Sequence, residues 1–165
     1  MSKRTKRILI FSAIAFIIIN TIFTIYIFTS DIKIGMKTGK YYYKITTVDN
    51  DGNKSNKWDI SISNNDIKRD IEENEKNSVQ LTEFRSIVEG ISKGKVSIFY
   101  NAIFLALLLV IIFTTIIDKR KHIAKFDFVD IIFLLLSLFL IYKVLLTYWE
   151  LTSFFENATS LYNIL

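Results

Sequence analysis

The 165-residue chain contains neither cysteine nor proline. The lack of cysteine excludes disulfide bonds, thiol catalysis, thiolate metal sites and a lipid anchor on cysteine. A domain exported from the cytoplasm would therefore hold together without disulfides. The lack of proline means that no helix of this protein carries a proline kink.

The sequence also lacks the short motifs that mark common enzyme and nucleotide sites. It has no G-x-x-x-x-G-K, G-x-G-x-x-G, H-E-x-x-H or G-x-S-x-G pattern. The single histidine, His122, stands in a basic stretch without residues that would make it catalytic or metal-binding. The run 49–53 resembles a calcium loop only faintly, because Gly52 at position six would put Thr47 and Trp58 at the ligand positions one and twelve. We therefore predict no enzyme activity, no cofactor and no metal site.

Three long apolar blocks dominate what is present, at 8–28, 97–117 and 128–149. A bilayer core of ~30 Å needs ~20 apolar residues in a helix, and each block reaches that length. The first block is longer than the apolar part of a usual signal peptide, and no A-x-A-like cleavage site follows it. We therefore predict three transmembrane helices, the first of them an uncleaved anchor.

Two clusters of basic residues predict the orientation. One lies in 1–7 and the other in the connector 118–127; together they contain Lys3, Arg4, Lys6, Arg7, Lys119, Arg120, Lys121 and Lys125. Lys and Arg accumulate on the cytoplasmic side of membrane helices, so both segments should be cytoplasmic. Segment 29–96 and the tail 150–165 should then lie outside a cell membrane. The net charge of +5 is explained by these clusters, so we do not expect nucleic-acid binding. The abundance of Ile, Lys and Asn favours an AT-rich genome, most simply that of a Gram-positive bacterium, with an AT-rich eukaryote as the alternative.

The exported segment 29–96 predicts a small α+β domain of ββα type. Residues 41–63 alternate as a β-hairpin around a polar turn. Residues 65–92 have helical spacing and predict one helix or two, with Asn77 and Gln80 as a capping pair for the second. Gly90 and Gly94 are the expected places for the chain to turn into the second span. The fold class is therefore a mainly α membrane protein with this domain between its first two helices.

The tail after Trp149 also has helical spacing. Two alternatives remain open for it. It forms an amphipathic helix on the outer leaflet, or it docks on the ββα domain.

Two groups of residues are candidates for function. The aromatic residues of the hairpin are candidates for contact with a partner protein, since aromatic side chains dominate interface energies; an equal alternative is that they form the hairpin's own core. They are Tyr41, Tyr42, Tyr43 and Trp58. Polar residues inside membrane spans are candidates by position. These are Asn20, Asn101, Asp130, Ser137 and Lys143.

The polar residues of the spans also have structural explanations. For Asn20, Asn101 and Ser137 the simpler one is a hydrogen bond between helices. Asp130 could pair with Lys125, and Lys143 could extend to the membrane surface or pair with Glu150.

These features indicate a small membrane protein that works by binding another membrane protein or an exported protein. Immunity proteins against bacteriocins or toxins, and accessory subunits of secretion or conjugation complexes, have this size and layout. The alternatives are a pore or transporter subunit formed by homo-oligomerisation, and a membrane sensor that works through a partner. The predicted surroundings are a lipid bilayer and a protein partner.

Overall fold

The structure is a computed structural model that describes residues 3–29, 35–50, 53–122 and 128–165. Within these ranges the chain forms three helices and four strands. They are α1 (Lys3–Thr29), β1 (Gly35–Thr38), β2 (Tyr41–Asn50), β3 (Asn53–Ser63), β4 (Asp66–Glu72), α2 (Ser78–His122) and α3 (Phe128–Ile164).

The chain divides into two compact units. The helical unit combines Met1–Asp31 with Ser97–Leu146, and the sheet unit combines Ile32–Val96 with Thr147–Leu165. The boundary falls inside α2 and inside α3. The first half of α2 and the end of α3 therefore belong with the sheet.

Among the described residues, two helices are long and apolar enough to cross a membrane. They cover Ser78–Ile117 and Asp130–Ile164. The predicted first span lies in α1, which is 27 residues long; its described apolar stretch, Ile10–Ile19, is shorter than a span. In the helical unit, the rings of Phe16 and Phe104 lie 4.6 Å apart, so α1 contacts α2.

The sheet is antiparallel, with the strands in the order β1-β2-β3-β4. Its central pair is the predicted hairpin, in which Tyr43 lies opposite Ile60 and Ile45 opposite Trp58. The predicted sheet had only these two strands, whereas in the structure β1 and β4 extend it on both sides. Gly39, with a φ of 67°, forms the tight turn between β1 and β2.

The prediction of helix from residue 65 onward is wrong for its first part, where the structure has β4. Ile67 and Ile71 are spaced by four residues, which suits one face of a helix as well as one face of a strand. In β4 they do not share a face, because the pairing with β3 shifts between Trp58–Ile71 and Ile60–Lys68. The strand therefore lacks the alternation by which strands are recognised in a sequence.

The cause of this shift is a β-bulge at Asp70. One residue, Asp59, lies between the partners on β3, whereas two, Arg69 and Asp70, lie between them on β4. Asp70 has a φ of 54°. A bulge inserts one residue into a strand and often needs a left-handed backbone, which Asp tolerates better than most residues. As a result Lys68 and Ile71 both lie opposite inner-face residues, Ile60 and Trp58.

The helix that follows begins at Ser78, next to the expected start. The cap differs from the predicted pair, because the Asn77 side chain is turned back to the preceding chain. Its Oδ1 accepts from the backbone of Asn74 at 2.8 Å, and its Nδ2 donates to the carbonyl of Glu72 at 2.9 Å. The Asn74 Oδ1 in turn accepts from the backbone of Lys76 and Asn77 at 2.9 and 3.2 Å. These bonds tie the end of β4 to the first turn of α2.

The core of the sheet unit lies between the inner face of the sheet and the apolar faces of α2 and α3. The sheet contributes its buried aromatic and aliphatic side chains, and both helices contribute theirs. The buried set is Tyr41, Tyr43, Trp58, Ile60, Leu81, Phe84, Ile87, Val88, Ile91, Leu151, Ala158 and Tyr162.

The two glycines of α2 do not turn the chain, contrary to the prediction, since the helix continues through both. A Cβ atom on Gly94 would lie 2.7 Å from a methyl carbon of Leu151, and one on Gly90 would lie 2.9 Å from the ring of Phe154. Here the absent side chains let α2 and α3 approach each other closely.

The tail of the chain is the end of α3 and packs in the sheet unit. The Tyr41 ring stacks on Phe155 at 5.3 Å with an interplanar angle of 8°. The Lys68 ammonium donates to the carbonyl of Tyr162 at 2.6 Å. The tail therefore docks on the sheet domain, which was one of the two alternatives. It is continuous with the third helix.

The bulge supplies a stability test. We expect Asp70→Val to lower the free energy of unfolding by about 1–2 kcal/mol, because a β-branched residue is strained in the left-handed region. Asp70→Gly should lower it little or raise it. Denaturant unfolding of the full chain in mild detergent would measure both. In a Trp149→Phe background, the buried Trp58 is the single tryptophan whose fluorescence reports unfolding. Equal losses for valine and glycine would contradict the assigned backbone conformation.

Candidate functional site

The inner face of the sheet contains one polar network, centred on the fully buried Tyr43. Its hydroxyl donates to Glu89 Oε1 at 2.8 Å. The Arg85 Nε donates to the same oxygen at 2.8 Å, and the Arg85 guanidinium lies 5.9 Å from the Tyr43 ring centroid. Burial and the Glu89 carboxylate raise the pKa of Tyr43 from 10.0 to about 12, although Arg85 acts in the opposite direction. These bonds anchor β2 on α2.

A second network links the first half of β3 to Glu73, the residue that follows β4. The Glu73 Oε2 accepts from Trp58 Nε1 at 3.0 Å and from Asn56 Nδ2 at 2.9 Å. The Glu73 backbone nitrogen donates to the carbonyl of Asn56 at 2.9 Å. Trp58 is thereby held in the core by its indole nitrogen as well as by its ring.

The outer face of the sheet, by contrast, contains an open groove with a volume of about 290 Å³. We call it the basic groove. Its walls come from the β1–β2 turn, from the outward-facing residues of β2 and β3, and from β4. The lining residues are Lys37, Lys40, Tyr42, Asp59, Ser61, Ser63, Asn64, Ile67 and Arg69.

The register of the strands explains how these residues come together. Lys37 lies opposite Tyr42, Tyr42 opposite Ser61, and Ser61 opposite Ile67. This row crosses all four strands on one face of the sheet. The adjoining bulge brings Arg69 to the same groove.

The floor of the basic groove is held in place by hydrogen bonds. The Ser61 hydroxyl, almost fully buried, contacts the carbonyl oxygens of Ser63 and Asp66. The Asp59 Oδ1 accepts from the backbone nitrogen of Asp70 at 3.0 Å. The groove is therefore formed by the sheet itself and by the bulge.

The charge of the basic groove is unbalanced. Three of its side chains are cations and one, Asp59, is an acid. Lys37, Lys40 and Arg69 are exposed, and none of them forms an ion pair with the part of the chain that the structure describes. A surface of this kind attracts negatively charged groups.

The predicted contact tyrosines separate between the two faces. Tyr41, Tyr43 and Trp58 are buried in the core. For these three residues the structure therefore has the alternative of a core role and not contact with a partner. Tyr42 points to the other face and lines the basic groove. Alternation along a strand puts neighbouring residues on opposite faces, and this decides the difference.

Sequence reasoning missed the three cations of the basic groove. Lys37 lies in β1 and Lys40 in the turn after it, and neither element was predicted. Arg69 lies in the segment that was predicted to be a helix. One signal was present, since Gly39 between β-forming runs is typical of a two-residue hairpin turn. No comparable signal marks Arg69, because the bulge hides the strand.

Two polar residues of the spans, Asn101 and Ser137, each form a hydrogen bond within their own helix. The Asn101 Nδ2 donates to Ser97 Oγ at 3.2 Å, and the Ser137 hydroxyl donates to the carbonyl of Phe133 at 2.9 Å. These bonds correct the expectation of hydrogen bonds between helices. The side chain of Asn20 lies outside the described residues.

The two charged candidates lie on α3. Asp130 is in the first turn of the helix, where the helix dipole favours an acidic group. The Lys143 ammonium lies 5.7 Å from the ring centroid of Phe139, one turn earlier. The expected pairing of Asp130 with Lys125 cannot be traced, since Lys125 lies outside the described residues.

Of the basic residues that predict the orientation, Arg7 is exposed. For six others the structure describes the backbone alone. Three belong to α1 (Lys3, Arg4 and Lys6) and three to α2 (Lys119, Arg120 and Lys121).

Comparison with known proteins adds no relative. No protein-family model, no curated protein and no solved structure matches the chain. Among the described residues, no group of three histidine, aspartate or glutamate side chains is arranged to hold a metal ion.

The Tyr43 network predicts a pH dependence. A group whose pKa is higher in the folded state than in the unfolded state stabilises the fold while it is protonated. This stabilisation is complete below the unfolded-state pKa and is lost as the pH rises through the folded-state pKa. We expect the sheet unit to lose stability between pH 10.0 and about 12 as the unfolded phenol ionises first. Trp58 fluorescence during denaturant unfolding at each pH would follow it.

Tyr43→Phe should lower the free energy of unfolding at neutral pH by about 1–3 kcal/mol, the range for a hydrogen bond to a charged group. The same variant should flatten the alkaline loss. Tyr42→Phe is the matched control, since its hydroxyl lies on the opposite face of the sheet. A Tyr43→Phe variant with the full alkaline loss would show that another group is responsible.

Proposed function

We propose that this protein is a three-pass membrane protein of the cell membrane that binds another membrane protein or an exported protein through its sheet unit. The N-terminus is cytoplasmic, the sheet unit and the C-terminus lie outside, and the action is binding without catalysis. The observation that carries the proposal is the basic groove, an open and charged surface on an otherwise fully packed sheet domain.

The surfaces of α2 and α3 support a membrane location. In their most apolar windows, only 6% and 11% of the residues are buried. A core helix of a soluble protein would bury such residues, whereas these helices leave large side chains such as Phe113, Leu135 and Phe139 exposed at 66%, 58% and 54%. Exposed apolar area on this scale needs lipid or protein to cover it.

The third span and the orientation are supported by the sequence of α1 and by the basic clusters. The apolar residues of α1 continue outside the stretch Ile10–Ile19 along most of its 27 residues. With three spans, the N-terminal cluster and the connector 118–127 both fall on the cytoplasmic side, as the excess of Lys and Arg requires.

A binding role is supported by the difference between the two faces of the sheet. The inner face forms the protein's own core, so the fold itself does not need the groove on the outer face to be charged. Immunity to an exported toxin, or service as an accessory subunit of a secretion or conjugation complex, would each use such a surface. The alternative is an oligomeric pore with Asn20, Asp130 or Lys143 lining its path.

The orientation can be tested in the natural cysteine-free background. A cysteine in place of the exposed Asn64 should react with an impermeant thiol reagent in intact cells, because it lies in the sheet unit. A cysteine in place of Arg120 should react only after the membrane is opened. Asn64 is a better position than Ser61, which is 2% exposed. The reverse labelling pattern would overturn the orientation.

The binding role can be tested by photo-crosslinking in the native cell. A photoreactive residue at Asn64, on the rim of the basic groove, should give an adduct with one other polypeptide. The same residue at Lys76, which is exposed and outside the groove, should not. Mass spectrometry of the adduct, followed by the reciprocal experiment from the identified partner, would complete the test. Adducts of equal yield at both positions, or with this chain alone, would contradict the proposal.

A further inference from the structure

We propose that the basic groove binds an acidic segment of the partner, with its carboxylates held by Arg69 and by Lys37 and an apolar side chain held against Tyr42 and Ile67. This inference rests on the proposed function and names the chemistry that the partner must present. It follows from the charge, the shape and the lining of the groove.

The first argument is charge complementarity. Lys37, Lys40 and Arg69 line one groove, and the single acid among the lining residues, Asp59, accepts a hydrogen bond from the backbone of Asp70 at 3.0 Å. The cations form no ion pair with the described part of the chain. An arginine guanidinium matches a carboxylate with two parallel hydrogen bonds, and a lysine adds an adaptable point charge.

The second argument is size. At about 290 Å³, the groove is at the lower end of the ~300–1,000 Å³ of small-molecule and cofactor sites. It is also open to solvent along its length. It therefore suits a few side chains of an extended segment better than an enclosed ligand.

The third argument is the apolar part of the lining. Ile67 is 40% exposed although it lies in a strand. Tyr42 is half-buried on the same row, with the small Ser61 between the two. Tyr and Arg are the residue types most enriched where binding energy concentrates. An acidic segment that also carries one leucine-like side chain would cover both.

The test uses the full chain in mild detergent and two synthetic probes. One is a short glutamate-rich peptide with a central leucine, and the other is the same peptide with glutamine in place of every glutamate. We expect the acidic peptide to bind and its affinity to fall as salt is raised, since exposed charges are screened over ~8 Å at physiological ionic strength. The glutamine peptide should bind at least about tenfold more weakly.

Charge reversal identifies the site. Arg69→Glu and Lys37→Glu should each weaken binding of the acidic peptide about tenfold, whereas Lys76→Glu, which removes the same charge from an exposed position outside the groove, should leave it unchanged. Trp58 fluorescence during unfolding checks that each variant is folded. Arg69→Gln and Lys37→Gln remove the positive charge without adding a negative charge beside Asp59, so they should weaken binding by a smaller factor. They replace the glutamate variants in the test if those do not fold.

Three results would overturn the inference. One is equal weakening by Lys76→Glu, which would indicate general attraction to a basic protein. Another is equal affinity for the glutamine peptide. The third is binding of inorganic phosphate or of phosphatidylglycerol vesicles that depends on Arg69 while the acidic peptide does not bind, which would assign the groove to phosphate groups. If the peptide fails but crosslinking at Asn64 still yields one partner, the proposed function stands and only this chemistry is wrong.

Discussion

The sheet unit depends on the burial of one face of a four-stranded sheet by two helices. A hairpin alone is marginally stable in water, and the chain has no cysteine to strengthen it. Tyr43, Ile60, Phe84, Leu81 and Ile91 are fully buried together, which ties β2 and β3 to α2. The close approach at Gly90 and Gly94 brings the end of α3 into the same core.

Polar groups inside this core determine how the parts fit. Tyr43 is anchored to Glu89, Trp58 to Glu73, and Lys68 to the carbonyl of Tyr162. A hydrogen bond from a buried group has a required geometry, and losing it leaves a polar atom without a partner. Apolar packing alone would tolerate small shifts of the sheet over the helices, whereas these bonds select one arrangement. The bulge at Asp70 is part of the same selection, since it turns Lys68 and Ile71 toward one face.

Because the inner face is committed to the core, the outer face is the part of the sheet that remains for other molecules. The row from Lys37 through Tyr42 and Ser61 to Ile67 lies there, and so does Arg69. The edges of the sheet are less suitable for pairing with another chain. β1 is only four residues long, and β4 carries a bulge and several charges, which are the features by which proteins protect exposed strands.

The sequence by itself determined the features that depend on local composition. Three apolar blocks, the two basic clusters, the hairpin 41–63 and the start of α2 near Asn77 can all be read from patterns a few residues apart. Only the tertiary structure decided the features that depend on distant residues. β4 was mistaken for a helix because a bulge removes the alternation of its side chains, and Gly90 and Gly94 were taken for turns because their reason lies on α3, about sixty residues away in the sequence. Alternation placed Tyr42 opposite to Tyr41 and Tyr43, but it could not say which side the helices would cover. That choice follows from the packing of α2 and α3 on the sheet, and it is what makes one tyrosine a surface residue and its neighbours core.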